Sequence, residues 1–450
     1  MKLFLSTFFI LFSSCLFLSC KKDDSISTNE IEEQEIALSE NIKVYNNNAF
    51  FEGYTLIAPL SSNNAYLINM EGFVVKKWVS KNRAIANYLT KEGNLVRSYI
   101  ISNQTFTFPG TTGGIEKFNF EGEKIWNWEY STSEYSMHHD IEILPNGNIL
   151  ASVWDRKTSQ EAIEKGRDPN LLFNSEVWPD RIIEIKPLGN NNAEVIWEWS
   201  IWDHLIQDFD SSKENFGVIS EHPELADINF SNGEANFNHV NSISYIKEFD
   251  QIVISSRRFN EFFIIDHSTT KQEAASHFGG HYNKGGDFLY RWGNPKAYKT
   301  GSEANQKLFG QHDVTYISNK PNNSGNFLVF NNEKYENLSS VDEVNIPQQA
   351  DGSYNLQPNI NNYPLQTAWS YINTEINSPI VSGARRLKNG NTLITSGTKG
   401  LLLEIDSDNN LVWKYSLPLE DKRIFKCFRY SINQPPFNGE KLPVLNVNVE

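Results

Sequence analysis

The sequence predicts an all-β chain folded as a six-bladed β-propeller with four-stranded blades, and three observations carry that reading. Apolar residues come in short runs divided by Asn, Gly, Asp and Ser, the texture of many short strands. A turn motif repeats: "ILPNGNILAS" (143–152) and "RLKNGNTLIT" (386–395) share Leu-x-Asn-Gly-Asn-x-Leu, with looser echoes in "LTKEGNLVRS" (89–98) and "SGNFLVF" (324–330). A second motif follows the turns, two alternating apolar strands that end near Trp, as in "EKFNFEGEKIWNWEY" (116–130), "RIIEIKPLGNNNAEVIWEWS" (181–200) and "LLLEIDSDNNLVWKYS" (401–416).

One unit is therefore two hairpins, with Asn-Gly supplying the positive φ that a two-residue turn needs. Units fall at about 52–80, 86–130, 138–202, 239–292, 312–372 and 382–416, and the later ones carry insertions such as 201–238 and 331–365. Four-stranded units repeating at this length point to a propeller. A two-sheet sandwich would leave the repeated turn and the Trp-ended strand unexplained. Trp126, Trp128, Trp197, Trp199 and Trp413 are read as blade packing.

The N-terminus sets the expected domain layout. "MKLFLSTFFILFSSCLFLSC" has a lysine, an apolar stretch too short to span a bilayer as a helix, and a small residue before Cys20. "FLSC" resembles a bacterial lipoprotein cleavage box, with Phe17 where leucine is commonest. Residues 1–20 are expected to be a lipoprotein signal peptide with Cys20 as the lipid anchor, 21–49 a flexible polar tether, and 50–450 the propeller. The expected location is the envelope of a Gram-negative bacterium, anchored to the outer membrane, and "KKDD" after Cys20 resembles a signal for surface exposure. Beyond the leader only Cys427 remains, so no disulfide framework or Cys-based metal site is expected, and Cys427 reads as buried packing. The net charge of −15 and the lack of a Lys/Arg cluster argue against nucleic acid as a partner. Nothing in the sequence specifies an oligomeric state.

The chemistry lies in the histidines. "MHHDIEIL" (137–144) and "GQHDVTYI" (310–317) each place a His-Asp pair at the mouth of a β-branched run, and "FNHVNSISYI" (237–246) is a relative. Aligned on the first strand of each unit, His139, His239 and His312 take equivalent places, while the last unit has Ser382 there. The first strand is innermost in a propeller, so these residues are expected to meet at the central channel. His138 is the rival of His139; strand alternation admits one of the two, and His139 is the one that lines up with His312. Arg257, in "VISSRRF", lies at the far end of the strand paired with the one carrying His239, and is expected to return to the channel mouth. An imidazole cluster beside a guanidinium suits a tetrahedral oxyanion.

The set "HHDIEILPNGNIL", "NHVNSI…ISSR", "GQHDVTYI", "RRLKNGNTLI" and "FKCFRYSINQ" resembles the bacterial arylsulfotransferase family across nearly all of residues 50–435. The resemblance implies sulfuryl transfer from an aryl sulfate to a phenol, without a nucleotide sulfate donor, a cofactor or a metal. It implies that His312 is transiently sulfated, and that His139, His239 and Arg257 complete the site, with an aryl sulfate and a phenol as small-molecule partners. The chain departs from well-studied members in having neither a cysteine pair nor room for an extra N-terminal domain. Two other readings stand beside it. Three histidines could bind Zn²⁺ with a water, although Arg257 would repel a cation. A surface-tethered propeller could also capture a glycan or a sulfated ligand without turnover.

Overall fold

In a computed structural model, residues 37–230, 233–317, 325–356 and 366–450 are described, and Leu38–Glu450 form one compact unit. The expected leader, Cys20 and the first part of the tether lie outside the described residues. Six antiparallel sheets form the blades of a six-bladed propeller, as the repeats predict. From inner to outer strand, the second blade runs Ala84–Leu89, Leu95–Ile100, Gly113–Phe118 and Lys124–Glu129. The third runs Tyr135–Ile143, Ile149–Asp155, Asp180–Leu188 and Asn192–Ser200. The fourth and fifth occupy 240–292 and 312–372.

The ends of the chain depart from the expectation of two hairpins per unit. The first blade contributes only Gly53–Ile57, Ala65–Ile68 and Val74–Trp78, and its innermost strand is Phe428–Ser431 from the far end of the chain. The last blade, within 383–416, gains a fifth, outer strand from Ile42–Tyr45. The polar stretch expected as tether up to residue 49 thus ends earlier. Ile42 and Tyr45 are apolar enough to pack under the last blade, against a core that includes Trp413 and Tyr415. A buried ion pair fastens the closing strand, Arg429 Nη1 to Glu404 Oε2 at 2.6 Å.

The repeated Trp does more than fill space. Five of these indole N–H groups reach the region before the outer strand of the next blade, so hydrogen bonds cross these interfaces. Trp78 donates to Asn119 O (2.9 Å), Trp126 to Asn192 O (2.9 Å), Trp197 to Thr269 Oγ1 (3.1 Å), Trp369 to Asn409 Oδ1 (3.0 Å) and Trp413 to Met70 O (2.8 Å). A buried indole needs a partner for its N–H, and here that need ties blade to blade. The "NGN" turns differ in detail from the two-residue form. At 144–148 and 387–391 only Gly147 (φ 88°) and Gly390 (φ 93°) are left-handed, so these are longer turns closed by one glycine. The apparent insertion after residue 331 is partly a long hairpin, Gly325–Tyr335 with Leu338–Ile346. Cys427 is buried as expected, in the core between the first and last blades.

Candidate active site

The inner strands are not regular where they reach the channel. In the third blade the pairing steps from His138–Ser152 to Ile141–Ala151, so His139 and Asp140 bulge out of the ladder. Comparable breaks follow Val240 and His312. His139 sits at φ 47° and His239 at φ 54°, left-handed conformations that an L-residue adopts only when its surroundings hold it there. Simple alternation therefore does not decide between His138 and His139, because the bulge turns the backbone between them.

A chain of side-chain to backbone bonds fixes how neighbouring blades align. Asp140 Oδ2 accepts from Ile243 N (3.0 Å), Ser242 Oγ from Val314 N (3.1 Å), and Asp313 Oδ2 from Ala384 N (3.1 Å). Asp140, Ser242 and Asp313 are thus equivalent, and so are His139 and His312, the residues just before the two aspartates. In the fourth blade the residue before Ser242 is Asn241, whose Nδ2 donates to Gln311 O (2.7 Å). His239 enters from two residues upstream, where its carbonyl accepts the N–H of Arg257 at 3.0 Å. The sequence alignment of His239 with the other two is corrected accordingly, although the channel still collects all three rings.

The His139 and His239 ring centroids are 4.7 Å apart. Burial pushes both imidazoles well below the ordinary histidine value, and the positive charge of Arg257 and of the neighbouring histidines adds to it. Burial, with Arg257 beside it, pushes His312 down to about 4. The four residues expected to form the site therefore sit close enough to act on one another's charge. His138 lies behind them, stacked on Trp154 with centroids 4.1 Å apart at 7°.

The hydrogen bonds assign different faces to the rings. His312 Nδ1 meets two oxygens, Asn332 Oδ1 at 2.8 Å and Gly310 O at 3.1 Å. The Asn332 amide is held in that orientation because its Nδ2 donates to Ser378 O (2.7 Å) and Val381 O (2.9 Å). A neutral His312 must carry its proton on Nδ1, which leaves a lone pair on Nε2. His239 is the reverse: Asn236 Nδ2 contacts its Nδ1 at 2.6 Å, so the ring proton lies on Nε2 as a donor. Arg257 has its nearest charge partner, Glu333, at 3.9 Å, and its buried Nε has no hydrogen-bond partner. Its forked donors are available to an anion.

Beneath the histidines lies a charged floor. Lys426 Nζ is 2.6 Å from Asp140 Oδ2 and 3.3 Å from Asp313 Oδ1, and Arg385 makes a forked pair with Asp313. All three carboxylate and ammonium groups in the Lys426 bridge are at least 97% buried. Sequence reading missed Asn332, Asn236 and Asp180, which no motif marks, and gave no role to Lys426, although it lies in "FKCFRYSINQ". Gly110 was missed too, although a glycine in "PGTTGG" is a visible flag. It sits at φ 100° with its backbone against the His139 ring, and a Cβ there would overlap that ring. Gly110→Ala is expected to displace His139 and lower transfer by about 100-fold, the scale of a misplaced catalytic group. The thermal midpoint should fall by only a few degrees; a steady-state assay and a melting curve check both.

Among the described residues, one cluster has metal-ligand spacing, and it lies away from the channel: His204, His277 and Asp287. There Asp287 Oδ1 already faces a ring nitrogen of each histidine at 2.8 Å.

Comparison with solved structures gives distant likenesses. A protein of unknown function from Bacteroides caccae is 14% identical, with 84% of this chain and 98% of that chain covered and a TM-score of 0.47. A streptogramin B lyase structure is 11% identical, covering 84% of this chain and 88% of its own, with a TM-score of 0.39. A Staphylococcus aureus virginiamycin B lyase with quinupristin is 10% identical over 84% and 89%, at a TM-score of 0.38. Comparison with curated proteins gives no significant match. The model of the Arylsulfotransferase (ASST) family matches residues 63–417, from the first blade to the fourth strand of the last. That span holds the three bulged inner strands together with Arg257 and Asn332, and this chain belongs to the arylsulfotransferase family.

Proposed function

We propose that this chain transfers the sulfuryl group of an aryl sulfate to a phenol by a ping-pong route through sulfated His312, independent of a nucleotide donor. Family membership supports aryl sulfotransfer in general. One observation carries the finer reading: the Asn332 clamp leaves the His312 Nε2 lone pair unshared, beside a guanidinium with donors to offer. In the first half-reaction that lone pair attacks sulfur, the bond from sulfur to the aryl oxygen breaks, and the phenolate leaves. Arg257 and the Nε2–H of His239 hold the sulfuryl oxygens, with His139 facing the aryl oxygen, as charge moves onto the leaving group. In the second, an incoming phenol gives its proton to a channel imidazole as its oxygen attacks sulfur, the N–S bond breaks and His312 is restored. Anchoring through a lipidated Cys20 at the outer membrane of the cell envelope belongs to the same proposal.

The test is an intact mass after incubation with nitrophenyl sulfate and no acceptor, at mildly alkaline pH. A gain of one sulfuryl group, lost on adding phenol, is expected. No adduct and no phenolate release over a panel of donors would favour a propeller that binds a glycan or sulfated ligand without turnover.

The pH profile follows from the same geometry. His312 attacks only when neutral, and its folded value is lowered to about 4, so protonation disables it only below that point. The rate of adduct formation is expected to stay flat from pH 8 to about 5 and fall on further acidification. An acid limb centred near the ordinary histidine value of about 6.5 would contradict the burial argument.

A further inference from the structure

The channel chemistry leaves His138, buried behind the site, unused. His138 Nε2 lies 2.6 Å from Asp180 Oδ1, with both side chains fully buried, and neither atom has another hydrogen-bond partner. Its other nitrogen, Nδ1, is 2.9 Å from Nδ1 of His139. His139 Nε2 makes no hydrogen bond within the described protein, and it is the atom left to face a substrate. A carboxylate oxygen opposite a ring nitrogen needs one proton between them, and so do two ring nitrogens opposite each other. The line Asp180–His138–His139 therefore holds two protons in its gaps, and each has two places to sit.

We propose that Asp180, His138 and His139 form a proton relay that gives a proton to the departing phenolate and recovers one from the incoming phenol. The proposal rests on reading the channel as a sulfuryl-transfer site. In the resting state the carboxyl of Asp180 is protonated, His138 carries its proton on Nδ1, and His139 presents Nε2–H to the channel. As the bond from sulfur to the aryl oxygen breaks, His139 Nε2 gives its proton to that oxygen. His139 Nδ1 takes the proton of His138 Nδ1, and His138 Nε2 takes that of Asp180. The product is a neutral phenol, a carboxylate and two neutral imidazoles in their other tautomers. When a second phenol attacks the sulfated His312, its proton enters at His139 Nε2 and each shift reverses. Neither His138 nor His139 becomes an imidazolium at any point, which matters in a site beside Arg257.

The surroundings suit this role. Trp154 lies flat under His138, Ser152 Oγ donates to the His138 carbonyl at 2.5 Å, and Val240 N donates to Asp180 Oδ2 at 3.1 Å. The ring and the carboxyl are thus fixed while their protons are not. Burial pushes the Asp180 carboxyl well above the usual carboxylate range and keeps His138 neutral, in keeping with the uncharged resting state. His139 alone meets substrate; Asp180 and His138 act through it.

The experiment is single-turnover sulfation of His312 by a series of aryl sulfates, from nitrophenyl to alkylphenyl, in the full-length protein and in Asp180→Asn and His138→Phe. A relayed proton matters most when the leaving phenolate is basic. The wild-type rate is expected to depend weakly on the basicity of the phenol. In both variants the ratio of alkylphenyl to nitrophenyl rates should fall by about 100-fold, the contribution of a general acid. An equal loss across the series, or no loss, overturns the relay and leaves the pair a packing role. If His138→Phe does not fold, the near-isosteric Asp180→Asn decides alone. A wild-type protein that gains no sulfuryl group from nitrophenyl sulfate would instead overturn the transfer reading itself.

Discussion

His312→Asn is expected to remove sulfuryl transfer and the covalent adduct together, lowering turnover by about 10⁴-fold or more, as loss of a nucleophile does. The substitution leaves an amide where the ring met Asn332 and Gly310, so the channel should keep its shape while losing the Nε2 lone pair. The contrast with His239→Asn makes the result specific. His239 presents a donor, not a lone pair, and losing one oxyanion donor costs about 10²–10³-fold while the adduct still forms. Intact masses of both variants after a long incubation with nitrophenyl sulfate separate the two roles. An adduct on His312→Asn at the wild-type level would mean that another group is the nucleophile.

Lys426→Met is expected to destabilise the fold by about 3–5 kcal/mol, the cost of stripping one partner from a buried ion pair. Lys426 is 3% exposed in its side chain and bridges Asp140 and Asp313, so removing it leaves two buried carboxylates with less compensation. A shift of the denaturant midpoint without a change of slope measures the loss. The pH dependence has a definite sign. Burial raises the Asp313 carboxyl, but Arg385 and Lys426 outweigh it and hold the group below the usual carboxylate value. Its contribution is therefore present above the unfolded value, about 3.9, and is lost as the pH falls through the lower folded one. The gap between wild type and variant should be widest at neutral pH and narrow on acidification. A gap that widens in acid would show that the bridge is not what Lys426 supplies.

What the sequence made legible is local and repeated. The Leu-x-Asn-Gly-Asn-x-Leu turn and the Trp-ended strand recur because each blade solves the same problem, an exposed sheet face that must be covered by the next. The structure shows why Trp recurs, since its N–H has to find an acceptor across that interface. His139 and His312 were legible for a related reason, as repeats place them at corresponding ends of inner strands, and Arg257 because the strand before it returns antiparallel to the same end. His239 was found for a partly wrong reason: the residue that corresponds to His312 is Asn241, and a left-handed turn brings His239 in from upstream. Periodicity says nothing of such turns. Asn332 and Asp180 were illegible because their importance lies in which atom they face, a relation made by folding between residues 20 and 42 positions apart. The pairing of Phe428–Ser431 with Gly53–Ile57 was missed for the opposite reason: it joins segments too far apart for any local pattern to link.

That last pairing bears on when the protein can begin to work. The ribosome makes His139, His239, Arg257 and His312 well before it reaches Lys426 and the strand after it. Until then the first blade lacks its inner strand, and Asp140 and Asp313 have no ammonium between them. A chain stopped before Lys426 carries every channel histidine but lacks the strand and the cation that complete the ring around them. The order of synthesis thus makes closure of the ring the last step, with the strand that seals the first blade and the cation beneath the channel arriving together.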